Sequence, residues 1–128
     1  MTVRIVRLGT KRTRGEGLRI GTVRKPPRGV PRSRYASGNW YDVWFPELAP
    51  SAATVKLGQG ALNEREWARF ARKYRAEMNT PSNRRALDLL AALSRRANFS
   101  VGCYCADPAR CHRSLLRELL LAHGADVR

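Results

Sequence analysis

The run Phe99-Ser-Val-Gly-Cys-Tyr-Cys105 limits the fold of this chain more than any other stretch. A strand wet on one face alternates apolar and polar residues, whereas a strand buried on both faces reads as an unbroken apolar run. This segment is short, uncharged and without alternation, so it predicts a central strand covered on both sides. A loop follows, with Asp107-Pro108 as a helix-start signal, and then a helix carrying Leu115, Leu116, Leu119 and Leu120 that stops at Gly124. A buried strand feeding an apolar helix belongs to an α/β architecture, with helices packed on a small sheet.

The other elements fit that frame. Val3 to Leu8 is β-branched and reads as a first strand, and Leu18 to Arg24 alternates well enough for a second. Lys25-Pro-Pro-Arg-Gly-Val-Pro-Arg-Ser33 ends it, because proline donates no ladder hydrogen bond and restricts the residue before it. Trp40 to Phe45 is aromatic and predicts a short strand or a core plug, with core the more common fate of such residues and base stacking the rival. Pro46 to Ser51 reads as loop with a turn of helix. Asn63-Glu-Arg-Glu66 resembles a capping box, and Trp67, Phe70, Tyr74 and Met78 recur at helical spacing behind it. Thr80-Pro81 opens another helix, in which Ala86, Leu87, Leu89, Leu90 and Leu93 form a broad apolar face. His123, near the end of the last helix, suits its negative pole. No linker divides the chain, so one α/β domain over residues 1–128 is expected.

Charge narrows the function. The chain holds 25 Lys plus Arg against 10 Asp plus Glu, a formal charge of +15. Residues 1–38 carry 11 of the bases and a single acid, Glu16. Arginine makes up 21 of the 25, and its planar fork grips phosphate or carboxylate with paired hydrogen bonds. The expected partner is therefore an anionic, phosphate-bearing ligand, a nucleotide or nucleic acid. An arginine-rich surface serving solubility alone is the bland alternative. No run approaches the roughly 18–20 apolar residues of a membrane span. The charged start Met1-Thr-Val-Arg-Ile-Val-Arg-Leu8 lacks a signal-peptide core, and three clustered cysteines do not form a secreted disulfide framework, so a cytoplasmic location is expected.

The densest chemistry lies in Cys103-Tyr-Cys-Ala-Asp-Pro-Ala-Arg-Cys-His-Arg-Ser114, running from a strand end into a helix start. Ligands of open α/β sheets bind beyond the carboxyl ends of the strands, and a helix start offers free N–H groups to an anion. A thiol there, flanked by cations, has its thiolate favoured. Cys111 is thus the candidate nucleophile, His112 the general acid or base, and Arg113 the anion clamp, with Cys103 beside them. Cysteine-dependent enzyme chemistry is the leaning, with the reaction open. Two readings compete. Zinc could use Cys103, Cys105, Cys111 and His112, but the spacing lacks the usual knuckle and adjacent residues point apart on a helix. No metal or other cofactor is therefore expected, with zinc the minor alternative. The bland reading makes Cys103 and Cys105 small core residues and leaves a non-catalytic nucleic-acid-binding or regulatory module. Beyond the segment, Arg24 and Arg28 flank the Pro26-Pro27 kink and could overhang one pocket. Tyr74 and Glu77 share a helix face, Glu77 either orienting an arginine or forming a surface ion pair.

Cys103-Tyr-Cys-Ala-Asp-Pro-x-x-Cys-His-Arg-Ser-Leu-Leu resembles the signature of the domain-of-unknown-function 488 family of small bacterial α/β proteins. Gly17 to Gly29, Trp40 to Pro50, Tyr74 to Met78 and Asn98 to Gly102 are similar to its short branch, so the likeness spans about residues 3 to 125. It implies an α/β sandwich with the Cys-His-Arg turn at a cleft, and no established activity. The positions it marks are Cys103, Cys111, His112 and Arg113, with Arg24, Arg28, Tyr74 and Glu77 from its shorter relatives. Cys105 stands where many relatives have an acidic residue.

Overall fold

Four parallel strands form the sheet. They are β1 (Val3–Arg7), β2 (Leu18–Gly21), β3 (Val43–Trp44) and β4 (Phe99–Cys103). The computed structural model describes residues 1–107 and 110–128. In space the order is β1-β4-β2-β3, so the last strand in sequence lies between the first two. Its register sets Val101 against both Ile5 and Ile20, and Gly102 against Val6 and Gly21. All five β4 residues are buried, as an uninterrupted apolar run demands.

The described residues form four α-helices in the expected order, with one addition. They are α1 (Ala52–Gln59), α2 (Glu64–Met78), α3 (Pro81–Ser94) and α4 (His112–Ala122). The α1 segment escapes sequence reading because Thr54, Val55 and Gly58 are poor helix formers in a mere eight residues. Its start is nevertheless capped, the Ser51 hydroxyl accepting from the Thr54 amide. Asn63 caps α2 as expected, while Glu66 reaches one residue further back, to the Leu62 amide. Thr80 caps α3 with Pro81 in its first turn. At the far end of α4, Gly124 has φ +89° and the Gly124 and Ala125 amides donate to Leu121 and Leu120, a Schellman closure. The α4 start is corrected: Cys111 is its N-cap, and Pro108 of the expected Asp107-Pro108 signal lies outside the described residues.

One face of the sheet carries the main core. Val3, Ile20, Phe99 and Val101 pack against Phe70, Tyr74 and Met78 of α2, Leu87 and Leu90 of α3, and Leu115, Leu116 and Leu120 of α4. The broad apolar face expected for α3 is narrower, since Leu89 is 67% exposed and Leu93 38%. Among the described residues no α-helix covers the opposite face. The segments around residues 9–17 and 35–42 lie over it, with Tyr41 buried and Trp40 half-buried, while Trp44 is largely exposed and donates its Nε1–H to the Val23 carbonyl. The β2 reading changes for the same reason. Leu18 is exposed, and Arg19 is completely buried, paired through two hydrogen bonds with Glu16. The pair is held by Ser100 of β4 and by carbonyls of Thr10 and Asn39. Burial would raise the Glu16 carboxyl, but hydrogen bonds from Arg19, Ser100 and the Thr13 amide, with the Arg19 charge, bring it down to about 2. No described helix is long and apolar enough to cross a membrane.

Candidate functional site at the strand ends

The chain leaves β2 toward β3, but after β4 it turns through α4 to Val127, which pairs with Val3 on the other edge. These connections diverge, and a parallel sheet opens a crevice at such a point. A cleft of about 430 Å³ lies there, lined by Val23, Arg24 and Lys25 after β2, by Cys103, Tyr104, Cys105 and His112 after β4, and by Lys56 of α1 among others. Tyr104 closes one wall, its hydroxyl donating to the Lys25 carbonyl and its ring standing edge-on to Trp40.

Cys103, Cys111 and His112 meet in that wall. Their donor atoms all lie within 4.8 Å of one another and all three residues are buried. The Cys103 and Cys111 sulfurs are in direct contact, a disulfide-like pairing. The Cys111 sulfur is 3.8 Å from His112 Nδ1. Sequence reasoning sets Cys111 and His112 apart as helix neighbours, and the structure corrects this. Cys111 is the N-cap, with extended dihedrals (φ −133°, ψ 152°), so the helical turn between successive side chains does not apply.

The Nε2 of His112 is 2.8 Å from the Thr22 carbonyl oxygen, which can only accept, so the proton sits on Nε2 and Nδ1 presents its lone pair to the sulfurs. Burial, helped by the neighbouring Arg113 charge and opposed by the Thr22 hydrogen bond, lowers His112 to about 4 and keeps the imidazole neutral. Thr22 itself is tied to β4, its amide and hydroxyl both donating to the Gly102 carbonyl.

The remaining sequence-derived residues are placed differently from one another. Arg113 is buried but spans the loop beneath the cleft, donating to the Cys105 carbonyl at 2.6 Å, while its Nε has no hydrogen-bond partner among the described residues. Arg7 supports the same loop through the Tyr104 carbonyl. Arg24 lines the cleft with its guanidinium anchored on the Ala49 and Pro50 carbonyls. Arg28 is exposed and does not line the cleft. Tyr74 and Glu77 are not among the residues that line the cleft. Tyr74 packs its ring 5.5 Å from that of His112 and donates to the Leu48 carbonyl, whereas Glu77 accepts from the Ser51 amide and from the Ser51 and Thr54 hydroxyls at the start of α1. Burial would raise Glu77, but these bonds and the nearby Arg24 charge lower it. Tyr74→Phe should thus cost about 1–2 kcal/mol in urea unfolding, by stranding a buried carbonyl. An unchanged urea midpoint would show that the Leu48 carbonyl finds another donor.

Sequence reasoning misses Thr22, Lys25 and Lys56. Lys25 adjoins the Pro26-Pro27 kink and was legible there, Lys56 sits on the overlooked α1, and Thr22 acts through its backbone, which no side-chain pattern reveals. Arg110 is turned to other work, paired with Glu64 and lying over the Trp67 ring.

No curated protein and no solved structure matches the chain. A family model described as "Active DUF488-N3 subclade" matches residues 3–124, nearly the whole length. With a parallel α/β sheet and the Cys-His-Arg turn set at its mouth, the chain belongs to the domain-of-unknown-function 488 family.

Proposed function

We propose that the chain binds a phosphate-bearing anion, a nucleotide or nucleic acid segment, in the cleft at the carboxyl ends of β2 and β4, and that the Cys103–Cys111–His112 centre in its wall supplies the chemistry. The observation that carries this reading is the lining itself: Arg24, Lys25 and Lys56 bring three cations, and no acidic residue stands among the described lining residues. Such a cleft concentrates anions and steers them inward. With the Cys103–Cys111 pairing reduced, His112 Nδ1 would stand 3.8 Å from the Cys111 sulfur as the nearest proton acceptor, and this placement supports thiol chemistry at the centre. The word "active" in the subclade description agrees with an enzyme. Arg113 acts as a positioning residue in this scheme, holding the loop on which Cys105 sits.

A second reading, a non-catalytic nucleic-acid module, is favoured by Lys11, Arg14, Arg28, Arg32 and Arg34, which are all exposed. Titration of a labelled oligonucleotide and of a labelled nucleotide at several salt concentrations tests both. The cleft reading expects Lys25→Ala/Lys56→Ala to weaken binding on the order of tenfold at low salt, about 1.4 kcal/mol, with Arg14→Ala/Arg28→Ala nearly silent. The reverse ranking would support the surface module. Binding that is absent, or indifferent to salt, would remove both.

A further inference from the structure

We infer that Cys103, Cys111 and His112 form a three-ligand site for a divalent thiophilic cation of the zinc class, with its remaining coordination position toward the cleft. This goes beyond anion binding, which the rim cations can support whether or not metal is held, and with the ion bound Cys111 and His112 Nδ1 act as ligands in place of free thiol and proton acceptor.

Three observations carry it. The first is the donor set: two sulfurs and one imidazole nitrogen, all buried, gathered within 4.8 Å. A tetrahedral ion with sulfur at about 2.3 Å and nitrogen at about 2.0–2.1 Å sets those two ligands roughly 3.6 Å apart. The Cys111 Sγ to His112 Nδ1 distance is 3.8 Å. The second is the orientation of the imidazole. A ligating histidine commonly donates its other ring N–H to a carbonyl or carboxylate, which fixes the tautomer. Here Nε2–H donates to Thr22 O at 2.8 Å, and Nδ1 is left for the ion. The third is backbone spacing. The Cα atoms of Cys103 and Cys111 are 7.9 Å apart, beyond the 4.4–6.8 Å usual across a disulfide. The sulfurs nonetheless touch, so in the metal-bound state they would separate to the roughly 3.8 Å kept by two thiolates on one tetrahedral ion.

Cys103 and His112 line the cleft, so an ion on this set reaches the opening. Three protein ligands with an open position are the pattern of zinc sites that carry water or substrate, in contrast to closed four-ligand structural sites. Once a thiol reductant has brought Cys103 and Cys111 to the dithiol, binding releases two thiol protons to solvent and forms two metal–sulfur bonds and one metal–nitrogen bond, with no change of oxidation state in that step. Cys105 lies outside the cluster and is exposed, so it is dispensable for the ion.

The test uses the full-length chain, untagged and kept reduced, loaded with Zn²⁺ or Co²⁺ and dialysed. Retention of about one equivalent is expected, with cobalt giving a thiolate-to-metal charge-transfer band and the visible bands of a tetrahedral ion. Cys103→Ser and Cys111→Ser should each lose the charge-transfer intensity and the retained metal, and Cys105→Ser should keep both. Should the serine variants fail to fold by circular dichroism, the unmodified chain decides alone. In moderate urea, Zn²⁺ should slow alkylation of Cys103 and Cys111, mapped by mass spectrometry, and leave Cys105 unaffected. Reduced wild-type chain without the cobalt–thiolate band, loss of the band in Cys105→Ser, or equal protection of all three cysteines would overturn the assignment. Phosphate-ligand binding measured on the metal-free chain reports separately on the cleft.

Discussion

Glu16→Gln is expected to destabilise the chain by about 3–5 kcal/mol, the usual cost of leaving one partner of a buried ion pair uncompensated. Both members are essentially sealed from water, and Arg19 uses all three guanidinium nitrogens, on Glu16 and on the Thr10 and Asn39 carbonyls. The amide of glutamine cannot accept two hydrogen bonds from Arg19 and one from Ser100 while staying neutral without stranding a donor. The pair also pins the two segments that cover the sheet face opposite the main core, so its loss should loosen residues 9–17 and 35–42 together. Chemical denaturation measures the effect, and a change below 1 kcal/mol would show the charge is not needed. The double variant Glu16→Leu/Arg19→Met should recover much of the loss, because replacing both partners removes the desolvated charges.

The same carboxylate predicts a pH response of definite sign. Its value in the fold lies below the ordinary 4.5, at about 2, so the unfolded chain binds the proton more readily. The stabilisation is therefore complete above about pH 4.5 and is lost progressively as pH falls toward 2, on the order of 3 kcal/mol in all. Urea midpoints for wild type should drop across that window, and the Glu16→Gln chain should show a flatter profile.

Gly102→Ala is expected to lower stability by about 3 kcal/mol and to disable the site, against the usual small gain from reducing unfolded-state freedom. A Cβ at this position would lie 2.5 Å from the Val6 carbonyl oxygen and 2.9 Å from the Val6 side chain. The first of these is backbone, so β1 must move away from β4 to admit a methyl group. Gly102 also receives both Thr22 hydrogen bonds, and Cys103 follows it directly. A displaced β4 end thus shifts Cys103 and, through Thr22, the hydrogen bond that orients His112. Thermal unfolding should fall by on the order of 10 °C for a domain of this size, with oligonucleotide affinity and metal retention both reduced. A midpoint equal to wild type would mean the strands separate easily, contrary to their close packing.

Much of the site was visible in local pattern. The unbroken Phe99 to Cys103 run announces a doubly covered strand, and the Cys-His-Arg turn after it falls where parallel sheets open. What pattern could not reach are contacts made between distant residues. Arg19 reads as one more surface cation among eleven amino-terminal bases, yet it is at the centre of the face opposite the main core, because Glu16 and Ser100 converge on it. Arg28 and Arg24 look equivalent around two prolines, but only Arg24 turns back onto carbonyls and lines the cleft. Glu77 looks like a helix-surface acid and serves to build α1, an element that propensity alone does not call for.

By itself, then, the amino-acid order determined the α/β class, the central strand, three of the four described α-helices, the caps of α2 and α3, and the segment in which cysteine, histidine and arginine cluster. These follow from periodicity and capping, which act between residues a few positions apart. Only the tertiary structure decided which cation is buried, which cations face the cleft, and that adjacent Cys111 and His112 converge on Cys103. Those outcomes depend on strand order and on an N-cap backbone that departs from helical geometry, and both are set by packing between segments tens of residues apart.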